Sequence, residues 1–450
     1  MRKKRKLIVR TFFALVLVGS AAFLGLSATA GATGDSSVDQ RTIAGDYSGT
    51  TVITAHGDTE KSKLLVYGPD GGVQYVNSTY DRYFDVDPEP GTKNTVTYTA
   101  AMHVYGAPCQ AGEKCSYSVI EQLNLTTGET NVLYKQYRPN IHNSRWHDAD
   151  RIDEDRWVVA DIAFDRVFIV NTTTGIVEWS WNAQNHFDMK TGNPYPEDWT
   201  HINDVEVTEG GQIMISVRNQ DRIVFLDQKT GVVEDRTLGE EDNYSVLYEQ
   251  HNPDYIDAER GGPAVLVADS HNNRIVEFQR SNGRWMQTWE WTDAEMQWPR
   301  DADRLPDGNT LISDSSGNRV LELGPDGDVL WSVTVDTPYE AEKLGTGDES
   351  AGGQTAQALG LPSKTTDGTA AESQSSGRPL TLQFLLFVRN LLPALAVNAV
   401  LYVLPTWVHF AELAVIGGLG LVVLSWAYLE YRWSRYSLRF GRPVRLDRGD

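Results

Sequence analysis

The sequence predicts an all-β fold, a six-bladed β-propeller, with an N-terminal signal or anchor helix and C-terminal transmembrane helices. Two observations lead to this prediction: short alternating strands repeat along the middle of the chain, and strongly apolar segments stand at both ends. Repeats of about 35–55 residues with four strands each are typical of propeller blades, because one blade can bury its two faces only against its neighbours.

The repeat is most evident in the second half of the chain. Residues 309–323 and 264–278 share an aspartate, an Asn-Arg pair and alternating aliphatic residues, and residues 212–227, 157–170 and 51–66 follow the same plan. Turns that contain Gly, Asp or Asn separate the strands, as in antiparallel hairpins. The predicted blades comprise residues 43–78, 80–137, 146–182, 199–238, 247–291 and 298–335.

Two sets of repeating residues are predicted to be structural rather than catalytic. One set is expected to stabilise a turn in two successive blades, and it consists of Asp269, Asn273 and Arg274 with Asp314, Asn318 and Arg319. The other set is expected to pack between blades, and it consists of Trp146, Trp199 and Trp298.

Hydropathy and composition divide the chain into five segments. A basic and then apolar start is predicted to be a signal peptide or a membrane anchor, and an apolar region near the other end is predicted to cross the membrane. The segments are residues 1–30 (signal or anchor), 40–340 (propeller catalytic domain), 345–378 (flexible linker), 380–430 (transmembrane region) and 431–450 (basic tail). Cleavage of the first segment and crossing by residues 380–407 stay open.

The net charge of −21 follows the same division. Without the six basic residues before residue 35, and without the eight arginines and four acids after residue 377, the middle of the chain has 26 basic and 57 acidic residues, a net charge of −31. This excess argues against a nucleic-acid partner, because phosphate binding needs a basic surface. It suggests a hydrated acidic surface adapted to high salt.

Three features predict that the propeller is held at the cell membrane on its extracellular side. The N-terminal segment directs export, and four Asn-X-Ser/Thr sequons lie in the middle of the chain. Cys109 and Cys115 bracket a short polar loop, as a disulfide in an oxidising compartment does. The arginine-rich tail is expected in the cytoplasm, which requires an odd number of C-terminal crossings.

Three histidines recur at one spacing in successive repeats. His147, His201 and His251 each precede an aspartate by three residues, and Arg300 takes this position in the next repeat. Because the innermost strands of a propeller converge on its channel, these four side chains are expected to meet at one mouth of the channel. Imidazole and guanidinium groups there suit an oxyanion.

Two other interpretations of the three histidines stay open. They could cap the inner strands, or three neutral imidazoles could bind zinc, as in a metal-dependent lyase. The remaining histidines have no repeat partners and are predicted to be surface, turn or membrane-interface residues, namely His56, His103, His142, His186, His271 and His409.

Part of the chain resembles the bacterial arylsulfate sulfotransferase family. The resemblance rests on Asp198-Trp-Thr-His-Ile-Asn-Asp204, on Arg218 seventeen residues after His201, and on Glu249-Gln-His-Asn252, and it covers roughly residues 45–335. Members of that family are six-bladed propellers. They carry a sulfuryl group from a phenolic sulfate ester to another phenol through a transient sulfohistidine, without a nucleotide sulfate donor.

The resemblance implies roles for individual residues. His251 is expected to be the nucleophile, and His147, His201, Asn203 and Arg218 are expected to bind the sulfuryl oxygens, with Arg300 added from the repeat. Imidazole is a competent covalent nucleophile, and donors aimed at the sulfuryl oxygens would stabilise the transition state.

The expected partners are an aryl sulfate donor, a hydroxyl acceptor and the membrane, with no cofactor and no metal. The apolar C-terminus departs from the family, so the acceptor and the oligomeric state are not carried over. A metal-dependent lyase and a non-catalytic binding propeller are the competing functions.

Overall fold

The computed structural model describes residues 2–33, 43–56, 62–107, 109, 114–138, 145–293, 295–364, 398, 400, 404, 408 and 410–433. The chain forms two units. One unit, residues 35–406, contains the propeller. The other unit combines residues 1–34 and 407–450 and contains two apolar helices.

Six antiparallel sheets confirm the predicted six-bladed propeller. A short strand, β1 (Ala44–Gly45), precedes the first blade, which contains β2 (Thr51–Ala55), β3 (Lys63–Tyr67) and β4 (Val73–Asn77). The second blade contains β5 (Arg82–Pro88), β6 (Thr95–Tyr105), β7 (Lys114–Asn124) and β8 (Thr130–Arg138). The third blade contains β9 (Trp146–Arg151), β10 (Arg156–Asp161), β11 (Arg166–Asn171) and β12 (Ile176–Asn182).

The remaining blades follow in the same antiparallel order. The fourth contains β13 (Ile202–Val207), β14 (Ile213–Val217), β15 (Arg222–Asp227), β16 (Gly231–Val232) and β17 (Leu238–Gly239). The fifth contains β18 (His251–Ile256), β19 (Ala264–Asp269), β20 (Arg274–Ser281) and β21 (Arg284–Trp291). The sixth contains β22 (Pro299–Arg304), β23 (Thr310–Asp314), β24 (Arg319–Leu323) and β25 (Val329–Thr334).

The ring of blades is closed by both ends of the propeller unit. A last strand, β26 (Pro338–Lys343), pairs with β2 and becomes the inner strand of the first blade, while β1 pairs with β25 at the outer edge of the sixth. The predicted first blade, residues 43–78, was therefore incomplete, because its inner strand comes from residues beyond the predicted sixth blade.

The predicted linker begins too early. Residues 345–364 pack onto the propeller: Thr355 and Ser350 are fully buried, and a short helix, α2 (Ala356–Leu359), begins where the backbone N–H of Ala356 donates to the Glu277 carboxylate at 2.9 Å. Lys364 forms an isolated bridge with Trp291. The segment therefore belongs to the packed domain up to residue 364, and residues 365–397 lie outside the described part of the chain.

Aliphatic and aromatic side chains fill the spaces between adjacent blades. Between the third and fourth blades, for example, Val158, Ile169, Ile213 and Val224 are almost fully buried around Trp199. Each such side chain contributes about 1.5–3 kcal/mol by leaving water. Trp146 lies in the corresponding core between the second and third blades.

The turn residues have the predicted structural role. Arg274 donates from Nε to Asp269 at 2.7 Å, and Arg319 donates in the same way to Asp314 at 2.7 Å. Between the two partners the chain makes a tight turn that ends in the left-handed conformation, at Asn273 (φ 54°) in the fifth blade. Asparagine tolerates this conformation better than most residues.

The terminal unit contains α1 (Arg2–Thr33) and α3 (Phe410–Trp433). Within these helices Val9–Leu26 and Glu412–Trp433 are long and apolar enough to cross a membrane, although a signal sequence has the same character as the first. Arg10 and Glu430 form an ion pair at 2.6 Å. Most of Leu380–Trp407 lies outside the described residues.

Cys109 and Cys115 form a disulfide, with their Cα atoms 5.4 Å apart. The bond links the start of β7 to the segment that follows β6. It therefore closes the loop of the hairpin that projects from the second blade.

Candidate active site

Six side chains from the six inner strands line one mouth of the channel. On every inner strand the same pattern follows this side chain: a polar residue, an apolar residue and a second polar residue. We name this set the mouth ring, and it consists of Tyr339, Phe84, His147, Asn203, His251 and Arg300.

Strand register corrects the predicted equivalence of the histidines. Trp146, Ile202 and Pro299 pair with the last residues of their neighbouring strands, so Asn203, and not His201, is equivalent to His147 and Arg300. His201 lies two residues earlier, at a left-handed φ of 49° that recurs at the equivalent positions in the first, fifth and sixth blades. The His-x-x-Asp spacing was therefore partly coincidental.

His201 nevertheless reaches the mouth ring. Its imidazole centre lies 5.0 Å from that of His147, which in turn lies 4.5 Å from the ring of Phe84. The side chain of His147 makes no hydrogen bond within the described part of the chain, and its Nδ1 is buried. His147 is thus available to donate a hydrogen bond to a bound group.

A serine fixes the orientation of the proposed nucleophile. His251 Nδ1 lies 2.8 Å from Ser270 Oγ, and the hydroxyl of Ser270 lies 2.7 Å from the carbonyl oxygen of Pro299. Because this carbonyl can only accept, Ser270 donates its proton to it and accepts from the Nδ1–H of His251. The lone pair of His251 is then on Nε2, the atom that a nucleophilic imidazole would use.

His201 and Arg218 form a second unit with Asp198. The Asp198 carboxylate accepts from Nδ1–H of His201, and Arg218 Nη1 donates to His201 Nε2 at 3.2 Å. Arg218 also lies 3.7 Å from both Asp198 and Glu249. Since both ring nitrogens of His201 are engaged, this histidine holds Arg218 in place.

Asn203 is a fully buried member of the mouth ring, and its placement differs from that expected of a substrate ligand. Its Nδ2 donates to the carbonyl oxygen of Gln250 at 3.0 Å, directly before His251. The amide therefore braces the chain that carries His251, while its Oδ1 has no hydrogen-bond partner within the described residues.

His56 was wrongly assigned to the surface. It is 8% exposed, its ring stacks on Tyr339 with a centroid distance of 4.7 Å, and Arg300 Nη1 lies 3.4 Å from its Nδ1. Arg300 also lies over the Tyr339 ring at 5.3 Å. His56 thus supports Arg300 from the first blade.

His271 lies in the turn Ser270–Asn272, one of the predicted alternatives, but it is buried and belongs to the site. Its Nε2 lies 3.1 Å from Glu249, the carboxylate that faces Arg218. Its ring lies 4.7 Å from Tyr248 and 4.4 Å from Trp298, so these side chains form an aromatic wall beside the cationic groups. Trp298 therefore belongs to this wall, although packing between blades was predicted for it.

The other four histidines lie away from these groups or beyond the described residues. His103 faces Asp81, and His186 is paired with Glu234 on another part of the propeller. His142 and His409 fall outside the described residues.

Electrostatics keep the clustered imidazoles neutral. Burial, reinforced by Arg300 and Arg218, lowers the pKa of His251 well below 6.5. Burial and the neighbouring His201 lower the pKa of His147 in the same way. Burial and then Arg218 lower the pKa of His201, in opposition to its hydrogen bond with Asp198. At neutral pH the imidazole of His251 is therefore in its neutral form.

The sequence repeat contains a signal for two more members of the mouth ring. Tyr339 and Phe84 precede an acid-x-acid motif on their strands, as His147 and Arg300 do, and this motif is visible in the sequence. Ser270 carries no such signal, because it comes from a turn of the fifth blade and meets His251 through the fold.

Solved structures of several proteins have a low similarity to this chain. A periplasmic gluconolactonase from Pseudomonas aeruginosa is 11% identical over 66% of this chain and 99% of its own, with a TM-score of 0.43. A protein of unknown function from Bacteroides caccae is 10% identical over 66% and 98% (TM-score 0.44), and a virginiamycin B lyase from Staphylococcus aureus is 14% identical over 57% and 71% (TM-score 0.36). A search of curated proteins finds no match.

A family comparison is more specific. Residues 150–279 match the family described as arylsulfotransferase (ASST), and this range contains His201, Asn203, Arg218 and His251. Together, the family match over residues 150–279 and the six blades support an arylsulfotransferase-like six-bladed β-propeller.

Proposed function

We propose that this protein transfers a sulfuryl group from an aryl sulfate ester to a hydroxyl acceptor through a sulfohistidine on His251, without a nucleotide donor. The observation that carries the proposal is the hydrogen-bond chain from His251 Nδ1 through Ser270 to the Pro299 carbonyl. It leaves the lone pair of Nε2 free at the mouth of a channel surrounded by anion-binding side chains. The arylsulfotransferase match supports the same reaction class.

In the first step the lone pair of His251 Nε2 forms a bond to the donor sulfur. The bond from sulfur to the aryl oxygen breaks, and its electron pair leaves with the phenolate, which takes a proton from water. The sulfated ring keeps its proton on Nδ1, where Ser270 accepts the hydrogen bond.

In the second step the acceptor oxygen forms a bond to sulfur. The bond between sulfur and Nε2 breaks, and its electron pair returns to the imidazole. The proton of the acceptor hydroxyl passes to water. Division of the transfer into two displacements lets one site serve donor and acceptor in turn.

The cationic groups stabilise charge on the sulfuryl oxygens in both steps. Arg218 and Arg300 approach the site from opposite sides of His251, and both of them lower its pKa. Arg218 is held by His201 and Arg300 by His56. Fixed donors of this kind need little rearrangement in the transition state.

The aromatic wall supports an aryl substrate. Tyr248, His271 and Trp298 stand beside Glu249, which faces Arg218 at 3.7 Å. A planar ring placed against this wall can bring its sulfate ester towards Arg218. Aromatic side chains favour such stacked or edge contacts.

The metal-dependent alternative has less support. Within the described residues, the groups of side chains close enough to share an ion contain carboxylates and no histidine. His201 already uses both ring nitrogens, for Asp198 and Arg218.

Both membrane-length helices support an anchored enzyme. The pair between Arg10 and Glu430 joins the start of α1 to the end of α3, so these helices run antiparallel. The basic start of α1 and Arg432, near the end of α3, then lie at the same end of the pair. By the positive-inside rule this end is expected in the cytoplasm, which supports an extracellular position for the propeller.

An assay of sulfuryl transfer tests the function. Purified full-length protein, given an aryl sulfate and a second phenol, is expected to release the donor phenol and to sulfate the acceptor with ping-pong kinetics. Added nucleotide sulfate is expected to have no effect. Absence of transfer across a panel of aryl sulfates and phenols would contradict the proposal.

Ser270 is expected to act as a positioning residue. Ser270→Ala removes the group that selects the tautomer of His251, and kcat is expected to fall about tenfold, the equivalent of one hydrogen bond, with KM unchanged. Ser270→Thr keeps the hydroxyl and is expected to restore most of kcat. Equal kcat values for the alanine variant and the wild type would remove Ser270 from the mechanism.

A further inference from the structure

The channel below the mouth ring is lined with carboxylates. Every inner strand carries two polar residues, one apart, directly after its mouth-ring residue, and eleven of these twelve are acidic, with Asn252 as the exception. The first ring contains Glu340, Asp85, Asp148, Asp204 and Asp301. The second ring contains Glu342, Asp87, Asp150, Glu206, Asp254 and Asp303.

Many of these carboxylates use one oxygen to join neighbouring strands. Asp301 Oδ2, for example, accepts from the backbone N–H of Ala341 at 3.1 Å. Asp254 Oδ2 accepts from the hydroxyl of Ser350, and Ser350 Oγ accepts from the backbone N–H of Arg304 at 2.7 Å. These contacts fix the orientation of Asp301 and Asp254, and each contact uses only one of the two carboxylate oxygens.

At one place four of the channel carboxylates converge. Ligand atoms of Asp254, Asp301, Asp303 and Glu349 all lie within 4.8 Å of one another. The first three residues are 0% exposed. Oδ1 of Asp254, Oδ1 of Asp301 and both oxygens of Asp303 have no hydrogen-bond partner in the part of the chain that the structure describes.

Within the described residues, none of the four carboxylates forms an ion pair. The nearby guanidinium of Arg304 instead contacts Glu277 and Thr310. Buried carboxylates without partners are costly, and a bound cation is one means of removing this cost.

We propose that Asp254, Asp301, Asp303 and Glu349 bind a hard divalent cation of the calcium class inside the channel. The donors are all carboxylate oxygens, which select Ca²⁺ and Mg²⁺ over softer metals. Calcium suits a site built from protein oxygens, whereas Mg²⁺ usually keeps several waters.

The position of the site indicates a structural role. Asp254 belongs to the fifth blade, Asp301 and Asp303 belong to the sixth, and Glu349 follows β26, which closes the propeller. The cation would join the closing segment to two blades. This role is separate from sulfuryl transfer, because none of the four side chains belongs to the mouth ring.

A second group of four carboxylates shares Glu349 but is less suitable. It contains Asp85, Asp87 and Glu340. Both oxygens of Glu340 already accept hydrogen bonds, from Val86 N at 3.0 Å and from Asn252 Nδ2 at 3.1 Å. The group around Asp303 offers more free oxygens, so it is the preferred site.

Metal content and thermal stability test the proposal. Full-length protein purified without chelator is expected to hold about one equivalent of Ca²⁺ or Mg²⁺. EDTA is expected to lower Tm, and Ca²⁺ at about a hundredfold excess over its Kd is expected to restore about 5 °C or more. Asp303→Asn is expected to lose both the metal and the response of Tm to Ca²⁺.

Asp326→Asn is the matched control, because Asp326 lies in an exposed turn of the same blade and uses Oδ1 to accept from the backbone N–H of Asp328. It is expected to keep the metal. If Asp303→Asn does not fold, Asp301→Asn provides the same test. Metal-free wild type whose Tm ignores EDTA and Ca²⁺ would overturn the proposal. The sulfuryl-transfer assay is read separately, so failure of either proposal is distinguishable.

Discussion

Replacement of His251 by alanine is expected to reduce sulfuryl transfer at least about a thousandfold, because the variant lacks the atom that forms the covalent intermediate. Nε2 of His251 is the nucleophilic atom that the Ser270 hydrogen bond leaves available. Release of phenol from the aryl sulfate, measured before acceptor is added, is expected to disappear together with steady-state turnover.

His186→Ala is the matched control for this variant. His186 is a partly exposed histidine paired with Glu234, away from the mouth ring. It is expected to retain full activity and an unchanged Tm. If His251→Ala keeps its fold and turns over at the wild-type rate, His251 is not the nucleophile.

Replacement of Arg218 by alanine is expected to lower kcat by about a hundredfold to a thousandfold, the range observed when a transition-state donor is removed. The arginine is aimed by His201 Nε2 at 3.2 Å and by two carboxylates at 3.7 Å. Arg218→Lys keeps the charge but loses the planar fork, so only part of the activity is expected to return.

Arg156→Ala controls for loss of a guanidinium on the same propeller. Arg156 is exposed and paired with Asp153 in a turn of the third blade. Its removal is expected to leave kcat and KM unchanged. An Arg218→Ala enzyme with wild-type kcat would exclude Arg218 from transition-state stabilisation.

The repeat predicted the propeller because strand alternation and turn residues are local properties. Closure by Pro338–Lys343 was not predictable in the same way, since its glutamates and lysine do not have the pattern of a core strand. In the fold those glutamates face the channel, and the strand is fully buried. A segment whose charges suggested an exposed position is therefore the inner strand of the first blade.

The candidate site was predicted only where one residue position recurs. His147, His251 and Arg300 follow the repeat, but a change in register before β13 places Asn203 at the mouth and moves His201 beside it. His56 follows β2 and Ser270 lies in the turn after β19, so both reach the site only through the tertiary structure. Their roles depend on packing that no local spacing encodes.

The acidic composition did not predict where in the fold the acidic residues lie. The excess of acid suggested a hydrated surface adapted to high salt, yet eleven carboxylates lie on the inner strands of the channel. Their side chains, from Asp85 to Glu342, alternate with residues that pack into the blades. Part of the acidic excess therefore lies inside the propeller and not on its surface.

The measurement that tests the central claim most directly is the mass of the enzyme after brief exposure to an aryl sulfate without acceptor, followed by quenching under alkaline conditions. Peptide analysis is expected to find one sulfuryl group on His251, and this group is expected to disappear when a phenol is added before the quench. Transfer of the sulfuryl group to acceptor with no covalent enzyme species, or with the group on another residue, would contradict a sulfohistidine mechanism at His251.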